Sequence, residues 1–453
     1  MTITGATGHN DRDRRFRNAE APKILLTDTV GFPGAAQLAV SLSKAGCDVF
    51  AVCSISDNPL RKVRAIREKL PYSSVNPVDS LIAAIERVQP QIIIPCDDTA
   101  VQHLHELHAH ASQPRSSNES IARLLERSLG SPESYPIVRS RYRLLGLARE
   151  EGLRVPETSL LYSLEEVKAY QVDTTRPLVL KADGTWGGNG VRIARTSQQA
   201  SDSFVELNRP LGTWKAISWL LLNRNRSCLR RWWAGATPEI IAQDYIFGRP
   251  ANCAVFCWKG RVLAGISVEV VSTRKQNGPA SVVRVVNHPE MQFAAQRIAR
   301  RLELSGFFGL DFIIEDTGKA AYLIEMNPRC TQPCHLRLGK DRDMVAALHA
   351  ALTGRPQEET LPVTRRPLIA YFPEAWLADT ELMSESFRDI PQNEPELVQA
   401  LLKDSSDRTL LGRLVDYFRR LRSQRGAVHA HVQRRFFDHG GAHPDILHGK
   451  PEA

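Results

Sequence analysis

Lys181 closes the apolar run Leu178-Val179-Leu180 and is followed closely by Gly184, Gly187, Gly188 and Gly190. A compact ammonium beside a run of flexible backbone amides is a combination suited to phosphate oxygens. The order excludes the commonest phosphate loop, GxxxxGK[ST], in which the lysine follows the glycines and opens a helix. Here a strand delivers the lysine, and the glycines make a turn too flexible to start a helix. Far downstream, Asp311, Glu325 and Asn327 offer three hard oxygens. Magnesium takes such ligands, holding few protein carboxylates and leaving the rest of its octahedron to water and phosphate. Taken alone, two carboxylates on neighbouring strands face solvent more often than a metal. Arg329, two residues after Asn327, adds a fixed charge for a carboxylate or a transferring phosphoryl group. Arg284, in ASVVRVVNHPE, is a second candidate for that role, against the plainer reading of a surface arginine on a strand. Neither arginine is a base, and no Ser-His-Asp or Cys-His arrangement stands near them.

These residues need elements to position them. Lys23 to Leu26 reads as a strand, followed by a glycine turn, an apolar-periodic helix stopped at Gly46 and a second strand. A further helix and the strand Ile92 to Ile94, ending at Pro95-Cys96-Asp97-Asp98, extend this βαβ pattern into an open parallel sheet with helices on its faces. The turn Gly31-Phe32-Pro33-Gly34 lacks the GxGxxG order, and Ser54 and Ser56 stand where an acidic residue would hold a ribose. A plain strand-to-helix turn is the better reading than a dinucleotide site. From Ser131 the style changes: a helix from Arg141 to Gly152, a strand after Pro156, two strands around the glycine loop, and two more joined at Lys259-Gly260. A helix after Pro289, strands joined at Asp316-Thr317-Gly318 and a helix ending at Gly354 follow. The expected layout is an arm over 1–21, a Rossmann-like domain over 22–130, an antiparallel α+β domain over 131–355 with a subdomain at about 155–246, and an extension over 356–453.

With 453 residues, 42% hydrophobic and 24% charged, the chain has the composition of a soluble globular protein of two or three domains. Its longest interior apolar run, around Ile217 to Leu222, falls far short of the roughly 20 residues of a membrane helix. Arg14-Arg15 precedes no apolar segment of the kind an export signal carries, so a cytoplasmic protein is expected. Of the eight cysteines, Cys253-x-x-x-Cys257 and Cys330-x-x-x-Cys334 have a spacing that invites zinc, but AVFCW reads as a strand whose alternate residues are core. The net charge of +9 sits largely in the basic, helix-compatible segment from Arg413 to the tail. A solvated surface helix is the plainer reading there, and no nucleic-acid-binding motif supports a nucleic-acid partner.

The order matters more than any one motif. A lysine followed by a glycine loop, then QDYIFG, then DFII and IEMNPR, all behind a Rossmann-like domain, resembles the ATP-grasp superfamily. Within it the chain is most similar to the carboxylate-amine ligases like the carbamoyl-phosphate synthetase large subunit. The resemblance spans about Lys23 to Gly354. It implies an α/β Rossmann-like pre-ATP-grasp domain followed by an α+β ATP-grasp fold of two subdomains, and a ligase that uses ATP with Mg²⁺ (or Mn²⁺). It also implies roles. Arg141 and Lys181 would meet the nucleotide phosphates beneath the lid Gly184 to Gly190. Gln243, Asp244, Tyr245 and Ile246 would form the hinge, with the backbone of Asp244 and Ile246 reading the adenine edge. Asp311, Glu325 and Asn327 would hold the metal, and Arg329 would face the acyl phosphate.

Departures from the family pattern narrow the reading. Arg249-Pro250-Ala251 offers no glutamate for the ribose, and CTQPCHL replaces the continuation found in carbamoyl-phosphate synthetase, so bicarbonate and ammonia are not the expected pair. Only one grasp module is present. Trp186 within the loop reads better as an anchor than as a substrate stack. The expected partners are a small carboxylate and an amine, with no membrane and no nucleic acid, and a homodimer is left open. The rival readings are an ATP-binding regulatory or scaffold protein without turnover, and a nucleic-acid-associated protein using its basic C-terminus.

Overall fold

The computed structural model describes residues 20–54, 58–113, 118–183, 190–209, 238–274, 278–357, 361–378 and 381–403. The basic C-terminal segment, Trp186 and the glycines 184, 187 and 188 lie outside the described residues.

Strands β1 (Lys23–Asp28), β2 (Asp48–Cys53), β3 (Ile66–Pro71) and β4 (Ile92–Pro95) form a parallel sheet in the order β3-β2-β1-β4. KILLTD has no polar alternation because both faces of β1 are covered, as parallel strands require. Ile24 and Leu26 pack on the side of the helix Pro33–Lys44, and Leu25 on the side of the helices Pro77–Val88, Asp98–Ala111 and Glu119–Leu129. The sequence pattern misses β3 because Arg67, Glu68 and Lys69 fill this partly exposed edge strand. Since β2 and β4 flank β1 on opposite sides, the loops after β1 and β4 open a crevice at a topological switch point.

The remainder holds two sheets. The smaller contains β5 (Thr158–Leu161), β6 (Leu178–Ala182), β7 (Val191–Ala194) and β8 (Ile240–Asp244), all antiparallel, in the order β5-β8-β6-β7. One of its faces packs Leu178, Leu180, Ala182 and Ala242 with Phe204 of the helix Ser197–Leu207. The larger is β13-β12-β9-β10-β11-β14-β15, made of β9 (Gly248–Trp258), β10 (Arg261–Thr273), β11 (Ala280–Val286), β12 (Gly306–Glu315), β13 (Ala321–Asn327), β14 (Leu368–Tyr371) and β15 (Phe387–Asp389). The segment beyond Pro356 thus extends this sheet through β14 and β15, and Leu397 and Leu401 join the core shared with the N-terminal sheet.

That core also explains the cysteine pairs. Cys253 and Cys257 point into the cluster around Phe308 and Ile298, whereas Cys330 and Cys334 lie in the cluster around Phe256 and Met344. The two pairs are buried in different cores as packed thiols.

Candidate active site

The site is assembled where the smaller sheet, the larger sheet and the N-terminal crevice meet. Lys181 lies in register with Val191 and Ile241, on the face of the smaller sheet opposite its helices. It is 4% exposed, and burial pushes its pKa down to about 8 against the pull of Glu325. Asp183, two residues on, takes the same side. Arg141 opens the helix Arg141–Glu150 behind the capping hydroxyl of Ser140 and spans the gap between sheets. Its Nη1 donates to Asp183 Oδ1 at 3.0 Å and to the Ala182 carbonyl at 3.1 Å, while Nη2 donates to Glu325 Oε1 at 2.6 Å. Burial works against its charge, but Glu325 and Asp183 raise its pKa above the ordinary arginine value.

On the larger sheet, a β-bulge decides the geometry. Ile314, Ile313 and Phe312 oppose Ala321, Tyr322 and Leu323 in simple register, which would place Ile324 opposite Asp311. The register shifts between Phe312 and Asp311, so Glu325 stands opposite Asp311 and Asn327 opposite Gly309. Bulges re-aim side chains in this way beside active sites. Asp311 Oδ2 accepts from Asn327 Nδ2 at 2.8 Å, and Oδ1 from Asn252 Nδ2 at 2.6 Å. Burial and the nearby Glu325 carboxylate raise the Asp311 pKa, and the two amides oppose that rise. Asn252 escaped the sequence reading; the usable signal was the period of two along β9, which puts Asn252 with Ala254 and Phe256 on the face that carries Asp311.

Arg329 ties this set to the N-terminal sheet. Its Nε donates to Asp98 Oδ1 at 3.0 Å, Nη2 to Asn327 Oδ1 at 3.1 Å and Nη1 to the Cys330 carbonyl at 3.2 Å. The guanidinium stacks over Phe32 at 5.9 Å. Asp98 more than offsets the cost of burial and holds the Arg329 pKa above its ordinary value.

Arg284 does not join them. It opposes Glu269 on β10, which opposes Ala251, which opposes Phe312. That row lies on the face of the sheet opposite Asp311, and Arg284 is exposed there. The alternation of a strand, not distance along the chain, removes it from the site.

At the hinge, Gln243 is buried and its Nε2 reaches Thr158 Oγ1 at 3.3 Å. The amides of Asp244 and Tyr245 are taken by the carbonyls of Glu157 and Pro177, while that of Ile246 has no partner among the described residues. The Tyr245 ring meets Phe247 edge-on at 4.9 Å and lies under Arg195 at 6.0 Å. Gly190 of the glycine loop accepts the Ala182 amide at 2.9 Å. Arg249, next to the hinge, pairs with Glu269 at 2.7 Å.

The switch-point crevice carries carboxylates where a phosphate site would carry free amides. Asp28 accepts from the amides of Val30, Gly31 and Phe32, and Asp97 Oδ1 caps the helix Asp98–Ala111 at Ala100. Burial, with a contribution from Asp97, pushes the Asp28 pKa up to about 7. The Gly31 turn is therefore braced from within.

Two carboxylates and an amide oxygen suit a magnesium ion that keeps water and phosphate in its remaining positions. Among the described residues there is no cluster of three or more His, Cys, Asp or Glu side chains that would favour a softer or more enclosed metal. No described helix is long and apolar enough to cross a membrane.

The ATP-grasp domain family matches residues 140–333. The large chain of arginine-specific carbamoyl phosphate synthase from Geobacillus stearothermophilus is 24% identical over 234 residues, which are 50% of this chain and 20% of that protein. The chain thus spans about a fifth of the curated relative it matches. Among solved structures, an ATP complex of carboxyaminoimidazole ribonucleotide synthase from Aspergillus clavatus superposes with a TM-score of 0.53 at 13% identity, covering 78% of this chain and 82% of that one. Biotin carboxylase from Campylobacter jejuni gives 0.52 at 15% identity over 76% and 74%, and an L-amino acid ligase from Bacillus licheniformis 0.51 at 13% over 76% and 77%. At these identities the structural likeness establishes the fold. The sequence match and the shared architecture agree: this chain carries an ATP-grasp domain, homologous to the one in the carbamoyl-phosphate synthase large chain.

Proposed function

We propose that this protein is an ATP- and Mg²⁺-dependent ligase that activates a carboxylate as an acyl phosphate for attack by an amine, releasing ADP and phosphate. The observation that carries the reading is that Lys181 of the smaller sheet, Asp311, Glu325 and Asn327 of the larger one, Arg141 at the start of its helix and Arg329 just beyond β13 come together where the two sheets meet. Lys181 and Arg141 bind the phosphates, the hinge from Gln243 to Ile246 takes the adenine with the Ile246 amide, which has no partner among the described residues, and Asp311, Glu325 and Asn327 hold the metal. When bound, the metal neutralises charge on the transferred phosphoryl group. Arg329 steadies the acyl phosphate oxygens, so positioning and electrostatics supply most of the catalysis.

The amine enters through the switch-point crevice. The turn amides after β1 are already met by Asp28 and the N-terminus of the helix Asp98–Ala111 by Asp97, and the partly exposed Asp98 carboxylate stands beside Arg329, a setting that suits a cation better than an anion. The test is ADP release with ATP and Mg²⁺ against panels of small carboxylates and amines, with Glu325→Ala as the control. A pair that stimulates ADP release in the wild type and not in the control supports the ligase. If no pair does so, the protein binds nucleotide without turnover.

A further inference from the structure

Arg141 and Glu325 belong to different halves of the site proposed above, one to the phosphates and one to the metal, yet here they hold each other. The Nη2–Oε1 contact is 2.6 Å long, with the two side chains only 11% and 27% exposed. A short, charge-assisted hydrogen bond out of bulk water is not the weak pair of an open surface. The Arg141 guanidinium offsets the charge of Glu325 by direct contact with Oε1. Asp311 is different, because its two oxygens are held by the neutral amides of Asn252 and Asn327 rather than by a guanidinium. In this arrangement Glu325 is already engaged by a full positive charge at hydrogen-bond distance, whereas Asp311 meets Lys181 and Arg329 without an ion-pair contact to either. Asp183 and the Ala182 carbonyl hold Arg141 Nη1, so the arginine can exchange its Nη2 partner while remaining in place.

We infer that the Arg141–Glu325 ion pair is a latch that keeps the metal ion out until nucleotide phosphates take Arg141 and free Glu325. Metal and nucleotide are thereby coupled, and by linkage each raises the affinity for the other by the same factor. The inference rests on the assignment of Arg141 and Glu325 in the proposed site, but not on turnover.

The measurement is Mn²⁺ binding to the full chain, followed by the electron paramagnetic resonance signal of the free ion, with and without a non-hydrolysable ATP analogue. Arg141→Met should bind Mn²⁺ alone about tenfold more tightly than the wild type, and should lose most of the enhancement that the analogue gives the wild type. Arg154→Met removes a positive charge from beside β13, where it lies over Tyr322 and pairs with Glu290, without touching Glu325, Asp311 or Asn327, and should leave the affinity for Mn²⁺ alone unchanged. Arg141→Gln repeats the measurement if the methionine variant melts early. The latch is overturned if neither Arg141 variant binds Mn²⁺ more tightly than the wild type, or if Arg154→Met tightens binding equally, which would mark a general field effect. Absence of ADP release with every substrate pair would sink the ligase and leave this result standing. Absence of any Mn²⁺ or analogue binding to the wild type would sink both.

Discussion

Arg329 and Asp98 form a 3.0 Å ion pair across the seam between the larger sheet and the N-terminal parallel sheet, with the arginine side chain 19% exposed and the aspartate 42%. The same arginine bonds Asn327, so the edge of the proposed metal set is mechanically tied to the mouth of the crevice. Asp98→Asn keeps the size and one acceptor but removes the charge. It should raise the KM for the amine about tenfold and change the affinity for the ATP analogue by no more than about twofold. Equal losses for amine and nucleotide would show that Asp98 serves only the folding of the seam.

Lys181 is buried at a cost. With a folded-state pKa of about 8 against an ordinary 10.5, the unfolded chain holds this proton more firmly between those values. Lys181→Met should therefore abolish nucleotide binding while leaving the melting temperature at neutral pH unchanged or higher. In the wild type, phosphates should restore the proton. Nucleotide binding at pH 8 should take up about half a proton, read from calorimetry in buffers of different ionisation enthalpy. Proton release on binding would contradict the assignment.

Asn252 holds Asp311 from the neighbouring strand. Asn252→Leu leaves one carboxylate oxygen without that donor and should weaken Mn²⁺ binding in the presence of the analogue by about tenfold. Asn252→Gln should recover part of the loss. An unchanged metal affinity in the leucine variant would reduce Asn252 to a packing residue.

Two buried groups in the N-terminal part should move stability in opposite directions with pH. His105 stacks on Tyr135 at 3.8 Å, and burial, with Arg139 and His108, pushes its pKa down to about 3 from 6.5. Between those values the unfolded state binds more protons, so this contribution to stability is complete above pH 6.5 and is lost as pH falls. Asp28 is raised to about 7 from 3.8, so here the native state binds more protons and the contribution is lost as pH rises from about 4 to 7. Relative to His105→Phe, wild-type stability should climb with pH from 3 to 6.5. Relative to Asp28→Asn, it should fall from 4 to 7, each by at most about 1.4 kcal/mol per pH unit in denaturant titrations. A slope of the other sign at either group would refute its protonation state.

The sequence by itself determined the parts that depend on neighbours along the chain. Lys181 at the end of an apolar strand, the order of the grasp motifs and the hairpin carrying Asp311 and Glu325 are all set by local polarity, the period of two and turn residues. Tertiary structure alone decided which of these residues meet. The bulge turns Glu325 towards Asp311, and alternation across three strand pairs carries Arg284 to the opposite face. Asn252 reaches Asp311 over a separation of 59 residues, and Arg329 reaches Asp98 over 231. The family resemblance assigns Arg141 to the phosphates, and only folding placed it against Glu325. Such pairings are fixed by how sheets pack and slip in register, a balance of burial summed over whole cores, and no local stretch of sequence records that sum.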